Sequence, residues 1–201
     1  MALTQFKNTP FWGRLVLPLW QWDAQEKFRR LQPFLKSEAK ILEIGSGLGS
    51  VTSHFRQQGL QITPVDIADA SLLPGTTPQI YDGGCLPFTD RSFDTVLLLT
   101  VLHHIADPIQ TIGEAQRVGN TVLIIEDIYT NPVQKYLTYG VDSLMNLEFR
   151  DHPHSNHTDA EWQSIFRNLG LELIYTESYA FVGFFRQVIY VLRSPQQPNS
   201  N

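Results

Sequence analysis

Glu43, Asp66 and Asp82 each stand close to the end of a short apolar run, and Gly45, Gly47 and Gly49 follow the first of them at alternate positions. Carboxylates beside a glycine turn at the end of a strand can hold a ligand rich in hydroxyls and amines. The glycines allow a sharp turn and a close approach of ligand to main chain. Asp66 comes about twenty residues after the glycines, a spacing at which an acid accepts both hydroxyl hydrogens of an adenosine ribose. That holds for NAD as well as for other adenosine cofactors. Glu43, two residues before Gly45, suits a ligand carrying an ammonium group better than one carrying pyrophosphate, which it would repel. Asp82 is placed to accept a hydrogen bond from an adenine amino group.

The elements that must position these groups follow from patterning. Ile41, Leu42 and Ile44 mark a first strand too short for a helix. Residues 50–58 read as a helix, with Val51, Thr52 and Phe55 on one face and Gly59 as its stop. A second strand, 61–67, ends in Asp66, and 69–75 leaves room for little more than one helical turn. Residues 79–82 make a short third strand. The apolar run 93–100 is typical of a central parallel strand buried on both faces. Asp107 and Pro108 open a helix, and 121–127 is a fifth strand. Thr158 and Glu161 form a capping box ahead of Trp162, Ile165, Phe166 and Leu169, with Gly170 as terminator. Residues 171–176 and 187–193 read as an antiparallel edge pair joined by a loop. At the start, 1–20 reads as an irregular arm. Residues 22–35 read as an amphipathic helix with Trp22, Phe28, Leu31 and Leu35 inward. Alternating strands and helices predict an α/β fold with a mostly parallel sheet.

The 201 residues fit one domain, 1–193, with a disordered polar tail at 194–201. A net charge of −5 gives no basic footprint for nucleic acid. Cys85 is the only cysteine, which excludes an internal disulfide and fits a cytoplasmic setting. The apolar stretch from Phe11 to Trp22 is too short for a transmembrane helix, no signal peptide is visible, and no stable membrane insertion is expected.

Taken in order, the motifs resemble those of class I S-adenosylmethionine (SAM)-dependent methyltransferases, in the small-molecule branch called methyltransferase type 11. The resemblance is carried by Leu42-Glu43-Ile44-Gly45-Ser46-Gly47-Leu48-Gly49, Val65-Asp66-Ile67, Tyr81-Asp82-Gly83, Leu86-Pro87-Phe88, Ser92-Phe93-Asp94 and Val101-Leu102-His103-His104. Glu114 with Arg117 and Val118 matches the helix before the fifth strand. The resemblance implies a Rossmann-like sandwich on a seven-stranded, mostly parallel sheet whose last strand is antiparallel. It implies that Gly45, Ser46 and Gly47 lie against the methionine part of SAM, with Glu43 supporting its amino end. Asp66 would hold the ribose, Ile67 would pack on the adenine, and Asp82 and Gly83 would meet the adenine amino group. Thr100 would face the methionine portion or the transferred methyl, and His103 would sit near the substrate mouth. Two features depart from the family: the helix after the second strand is short, and the Lys-Pro-Gly-Gly turn before the fifth is reduced to Gly119-Asn120.

The implied reaction is in-line transfer of a methyl to a small-molecule acceptor, leaving S-adenosylhomocysteine (SAH). Where the acceptor arrives protonated an imidazole suits the base. His103 is the first candidate, His104 the second and Asp127 the third. The insert 128–157 reads as a substrate lid, with Tyr129, Tyr139 and Phe149 as acceptor contacts and an aromatic or lipid-like acceptor expected. His152, His154 and His157 match no zinc spacing, so no metal is expected. Two other readings stay open: a nicotinamide-dependent oxidoreductase, since Gly45, Gly47 and Ser50 nearly form a dinucleotide fingerprint, and a non-catalytic SAM-binding module.

Overall fold

Lys40–Ile44 forms β1, with Ile41, Leu42 and Ile44 buried. The structure, a computed structural model, describes residues 10–128, 157–181 and 185–195. After β1 come α2 (Ser50–Gln57), β2 (Gln61–Asp66) and β3 (Gln79–Ile80). β4 (Phe93–Leu99), α3 (Pro108–Val118) and β5 (Gly119–Ile128) follow. α4 (Asp159–Asn168), β6 (Glu172–Phe181) and β7 (Phe185–Arg193) close the described chain. One helix precedes them all, α1 (Pro10–Leu31).

The seven strands form one sheet in the order β3-β2-β1-β4-β5-β7-β6. β1 to β5 pair in parallel, and β7 inserts antiparallel between β5 and β6. This is the Rossmann-like sandwich expected from the sequence. The two-residue period of the strands sends alternate side chains to opposite faces. Leu42, Ile44, Val96 and Leu98 join α3 and α4 through Ile112, Ala115, Trp162 and Phe166. Ile41, Leu97 and Leu99 join α1 and α2 through Ala24, Leu31, Val51 and Phe55.

Several caps work as the sequence predicts. The Asp107 side chain accepts from the Gln110 N–H at 2.9 Å and opens α3. At α4, Thr158 Oγ1 accepts from the Glu161 N–H, while Glu161 Oε2 accepts from the Thr158 N–H at 2.7 Å. Thr158→Ala is expected to cost about 1 kcal/mol of stability, read as a lower urea midpoint with unchanged slope. No loss would mean the box does not hold α4.

Other elements differ from expectation. Residues 10–20 are helical, continuous with 21–31, although Pro18 lies inside. Pro10 sits at the helix start, where its missing N–H costs nothing. The helix is held from residue 20 onward by packing on α2 and the sheet, which outweighs the one hydrogen bond Pro18 removes. Trp22, expected inward, is 41% exposed and stacks on Phe181 at 5.5 Å. Leu31 and Phe28 pack inward as expected, and Asp23, Ala24 and Lys27 take the rest of the inner face. Residues 67–78 turn without forming any helix. β6 and β7 run further toward each other than expected, pairing from Glu172 with Arg193 to Phe181 with Phe185. No helix among the described residues is long and apolar enough to cross a membrane.

Candidate active site

A cavity of about 260 Å³ opens at the carboxyl ends of β2, β1 and β4. Its floor is the turn from Gly45 to Ser50 between β1 and α2. Gly45 has φ 77° and Gly49 φ 82°, the left-handed region that side chains disfavour. A Cβ on Gly45 would overlap Val101, and one on Gly49 would overlap Thr76. The turn is pinned to β2: Asp66 Oδ2 accepts from the Gly47 N–H at 2.9 Å and Oδ1 from the Ile67 N–H at 2.7 Å. Ile67 is 63% exposed, a large apolar side chain at the open end of the cavity.

Glu43 lies beneath the turn, 3% exposed, and accepts a short hydrogen bond from Thr52 Oγ1. Burial pushes its carboxyl up to about 8, against the lowering influence of Thr52 and Lys27. On the β4 side stands Thr100, a β-branched residue at φ 54°. Such a backbone costs on the order of 1–3 kcal/mol and persists only where surroundings impose it. Here the Thr100 N–H donates to Ile125 O at 2.6 Å, and Thr100 Oγ1 accepts from Lys27 Nζ at 2.8 Å. Lys27 is paired with Asp23 at 2.6 Å, and both line the cavity. The sequence reading missed this pair, because acid and base four apart on a helix usually mark a solvated face. Trp20, from the same face of α1, also lines the cavity.

Of the expected site residues, Glu43, Gly45, Ser46, Gly47, Asp66, Ile67, Thr100 and His104 are brought together on this wall. Asp82 and Gly83 are not on it. Asp82 is exposed, and its Oδ1 closes a turn by accepting from the Gly84 N–H at 2.9 Å. Gly83 lies against Ile67 at the rim. His103, expected at the mouth, is 4% exposed and turned inward, its Nδ1 2.7 Å from Glu126 Oε2. The other Glu126 oxygen accepts from the Val101 and Leu102 N–H groups at 2.8 and 2.7 Å. Glu126 thus fixes the loop after β4, and a carboxylate in the middle of an apolar strand was the signal for it. Asp127 is also off the wall: it accepts from Gln187 Nε2 at 3.0 Å, and burial pushes it up to about 6. Tyr129, Tyr139, Phe149, His152 and His154 lie outside the described residues. His157 sits edge-on to Trp162 at 4.7 Å, and no metal-binding cluster occurs among the described residues.

The Glu114 and Arg117 motif is structural. Arg117 donates to Leu86 O, Phe88 O and Asp90, while Glu114 accepts from the Leu86 N–H at 2.7 Å. Together they tie segment 86–90 to α3.

A family model described as a methyltransferase domain matches residues 20–176, more than half of the chain. The ubiquinone/menaquinone biosynthesis C-methyltransferase of Hahella chejuensis is 30% identical over 131 residues, 55% of this chain and 53% of that protein. The ubiquinone biosynthesis O-methyltransferase of Saccharophagus degradans is 28% identical over 88 residues, 38% of this chain and 37% of that protein. The chain therefore spans about half or less of the length of these curated relatives. The magnesium protoporphyrin IX methyltransferase of Synechocystis, solved with bound SAH, superposes with a TM-score of 0.63 at 17% identity, covering 87% of this chain and 83% of that one. A SAM-dependent methyltransferase from Methanosarcina mazei gives a TM-score of 0.65 at 19% identity, covering 83% of this chain and 97% of that one. Fold, cavity and family match agree: the chain belongs to the methyltransferase-domain family.

Proposed function

We propose that the protein transfers the methyl group of SAM to a small-molecule acceptor. The observation that carries this is the polarity of the cavity floor. The Gly47 N–H, which a dinucleotide fingerprint would offer to pyrophosphate, is occupied by Asp66, and Glu43 lies buried below. Pyrophosphate would lose that donor and meet the Asp66 carboxyl group, whereas a ligand with a cationic centre would draw the raised Glu43 carboxyl into its charged form. This is the argument against the nicotinamide reading.

The residues fit SAM in further respects. Ser46 Oγ, Ser50 Oγ and Trp20 Nε1 are buried without a hydrogen-bond partner among the described residues, and all three residues line the cavity. Buried polar atoms of that kind call for a polar ligand or water. Asp66 would receive the ribose hydroxyls and Ile67 the adenine face. Gly45, Ser46 and Gly47 would back the methionine chain, with Glu43 beneath and Thr100 beside it. Bound there, SAM supplies a methyl already activated on a sulfonium. The protein's own task is to hold the acceptor in line and exclude water, and positioning of this kind contributes up to roughly 7–11 kcal/mol in well-oriented systems. His104, on the cavity wall, is the candidate base for an acceptor that arrives protonated. His103 and Glu126 hold the loop that presents it.

An aromatic or lipid-like acceptor is supported by the quinone-pathway names of the two curated relatives and by Tyr129, Tyr139 and Phe149 in the insert. The insert leaves the carboxyl end of β5, the sheet edge on which the cavity opens, so a lid there is well placed. One domain, no nucleic-acid partner and a cytoplasmic setting complete the reading, the last two resting on the charge of −5 and a single cysteine.

Calorimetric titration with SAH tests it. Wild type is expected to bind, and Asp66→Ala to bind about 10–100-fold more weakly, the worth of hydrogen bonds to a charged acceptor. Binding of NADH with none of SAH would reject the proposal.

A further inference from the structure

The two outer edges of the sheet are built differently. β3 is two residues long, and so short an edge offers little to pair with. β6 runs for ten residues, and no described strand pairs with its outer side. A register shift between Leu173 and Tyr175 interrupts its start, after which 175–181 pairs regularly with β7. That stretch holds no lysine, proline or bulge, the usual devices that keep an edge from pairing. Its one charge, Glu177, is met by Arg30 at 3.5 Å. Its two faces are sorted by size. On the α1 side Tyr175 packs on Phe34 at 4.9 Å, Arg30 lies over the Tyr179 ring at 3.6 Å, and Phe181 stacks on Trp22. By the two-residue period Thr176, Ser178 and Ala180 point the other way, and all three are exposed.

We propose that the outer edge of β6 is an interface for a second copy of this chain. The partner adds its own β6 antiparallel across a two-fold axis, and the two sheets become one. Self-complementarity sets the register. An axis perpendicular to the sheet keeps α1 on the same face in both copies, so it passes through a residue and not between two. An axis at Glu177 sets two carboxylates directly opposite each other, which is unfavourable. An axis at Ser178 pairs the whole regular stretch 175–181 with itself. Tyr175 then faces the partner's Phe181, so Trp22, Phe181, Tyr175 and Phe34 form an aromatic ladder across the axis. Tyr175 and Trp22, 39% and 41% exposed in one copy, gain cover there. Glu177 faces the partner's Tyr179, over which the partner's Arg30 lies, so each carboxylate meets two guanidinium groups. On the other face Thr176 meets the partner's Ala180 and Ser178 meets its own copy, all small enough to sit side by side. None of this depends on the SAM reading.

Sedimentation equilibrium of the intact chain tests it. A dimer of the 22.9 kDa chain is expected at about 100 μM. A monomer at that concentration, or an assembly that grows beyond two copies, overturns the proposal. Ser178→Lys sets two lysines opposite each other and is expected to raise the dimer Kd at least about tenfold. An unchanged Kd overturns the interface. Cross-linking reads the register, with exposed Cys85 first replaced by serine. Oxidation is expected to link Ser178→Cys copies, whose opposed Cβ atoms stand about 5 Å apart. Thr176→Cys copies, each facing the partner's Ala180, are expected to stay unlinked. Linkage at 176 and none at 178 overturns the pairing. Both cysteines are small and lie on an open face, so they decide the matter even if the lysine variant fails to fold.

Discussion

Glu126→Ala is expected to lower the unfolding free energy by about 3–5 kcal/mol, as truncating one partner of a buried polar cluster does. Glu126 is fully buried within β5, and its two oxygens accept from the Val101 N–H, the Leu102 N–H and His103 Nδ1. Alanine would leave two main-chain donors and an imidazole in a place that water cannot easily enter, and each unmet group costs about 1–3 kcal/mol. For a chain of this size the melting temperature should fall by about 10 °C. Glu126→Gln keeps one carbonyl acceptor and should lose less. A loss under about 1 kcal/mol for alanine would show that the loop after β4 is held by its own packing instead. Val101 packs against the Cβ-less face of Gly45, so the same variant should also loosen the cavity wall.

Glu43→Gln should make the ligand-free protein more stable than wild type above pH 8, by up to about 4 kcal/mol. Burial raises the Glu43 carboxyl to about 8, whereas an unfolded chain restores it to near 4.5. Between those values the folded protein binds more protons than the unfolded one, so stability falls as pH rises. Below about pH 4.5 both states are protonated and the two proteins should be alike. Chemical unfolding of both at pH 5 and pH 8.5 reads the difference directly. A gap that does not widen with pH would mean Glu43 is not ionising in that range. A cationic ligand near Glu43 favours its charged form, so SAM, whose sulfonium is a fixed positive charge, should shrink the gap. A carboxylate kept in the floor at such cost is what a binding role predicts.

The sheet and its turns were largely legible from sequence, and the reasons are local. β1, β4 and β5 are apolar runs of strand length, and the Asp107 and Thr158 caps are short-range chemistry that tertiary context seldom overrides. The position of β7 between β5 and β6 agrees with the antiparallel last strand that the motifs implied. What was not legible depends on which side of an element meets a neighbour. Asp23 and Lys27 look like solvated charges until the cavity is seen beside them. His103 and His104 are adjacent in sequence, yet the short 3₁₀ turn at Leu102–His104 sends the first toward Glu126 and the second to the cavity. Asp82 has the expected residue type after the third strand, but residue type does not show that its Oδ1 closes a turn on the Gly84 N–H and that its side chain stands off the cavity wall. Residues 10–20 hid a helix behind two prolines, and the far half of β6 hid a strand behind Glu177 and Ser178 on an exposed edge.

One wall of the cavity comes from α1, which precedes the first strand and is joined to it through residues 32–39. The family match begins at residue 20, inside that helix, at the first of its described side chains to reach the wall. Local opening of α1 would therefore carry Trp20, Asp23 and Lys27 away together and leave a half-built site. A ligand that touches them binds only the docked form, so by mass action a free concentration one hundred times its Kd would hold the helix down by about 2.7 kcal/mol. Ligand concentration then sets how firmly residues 20–31 are docked on the sheet.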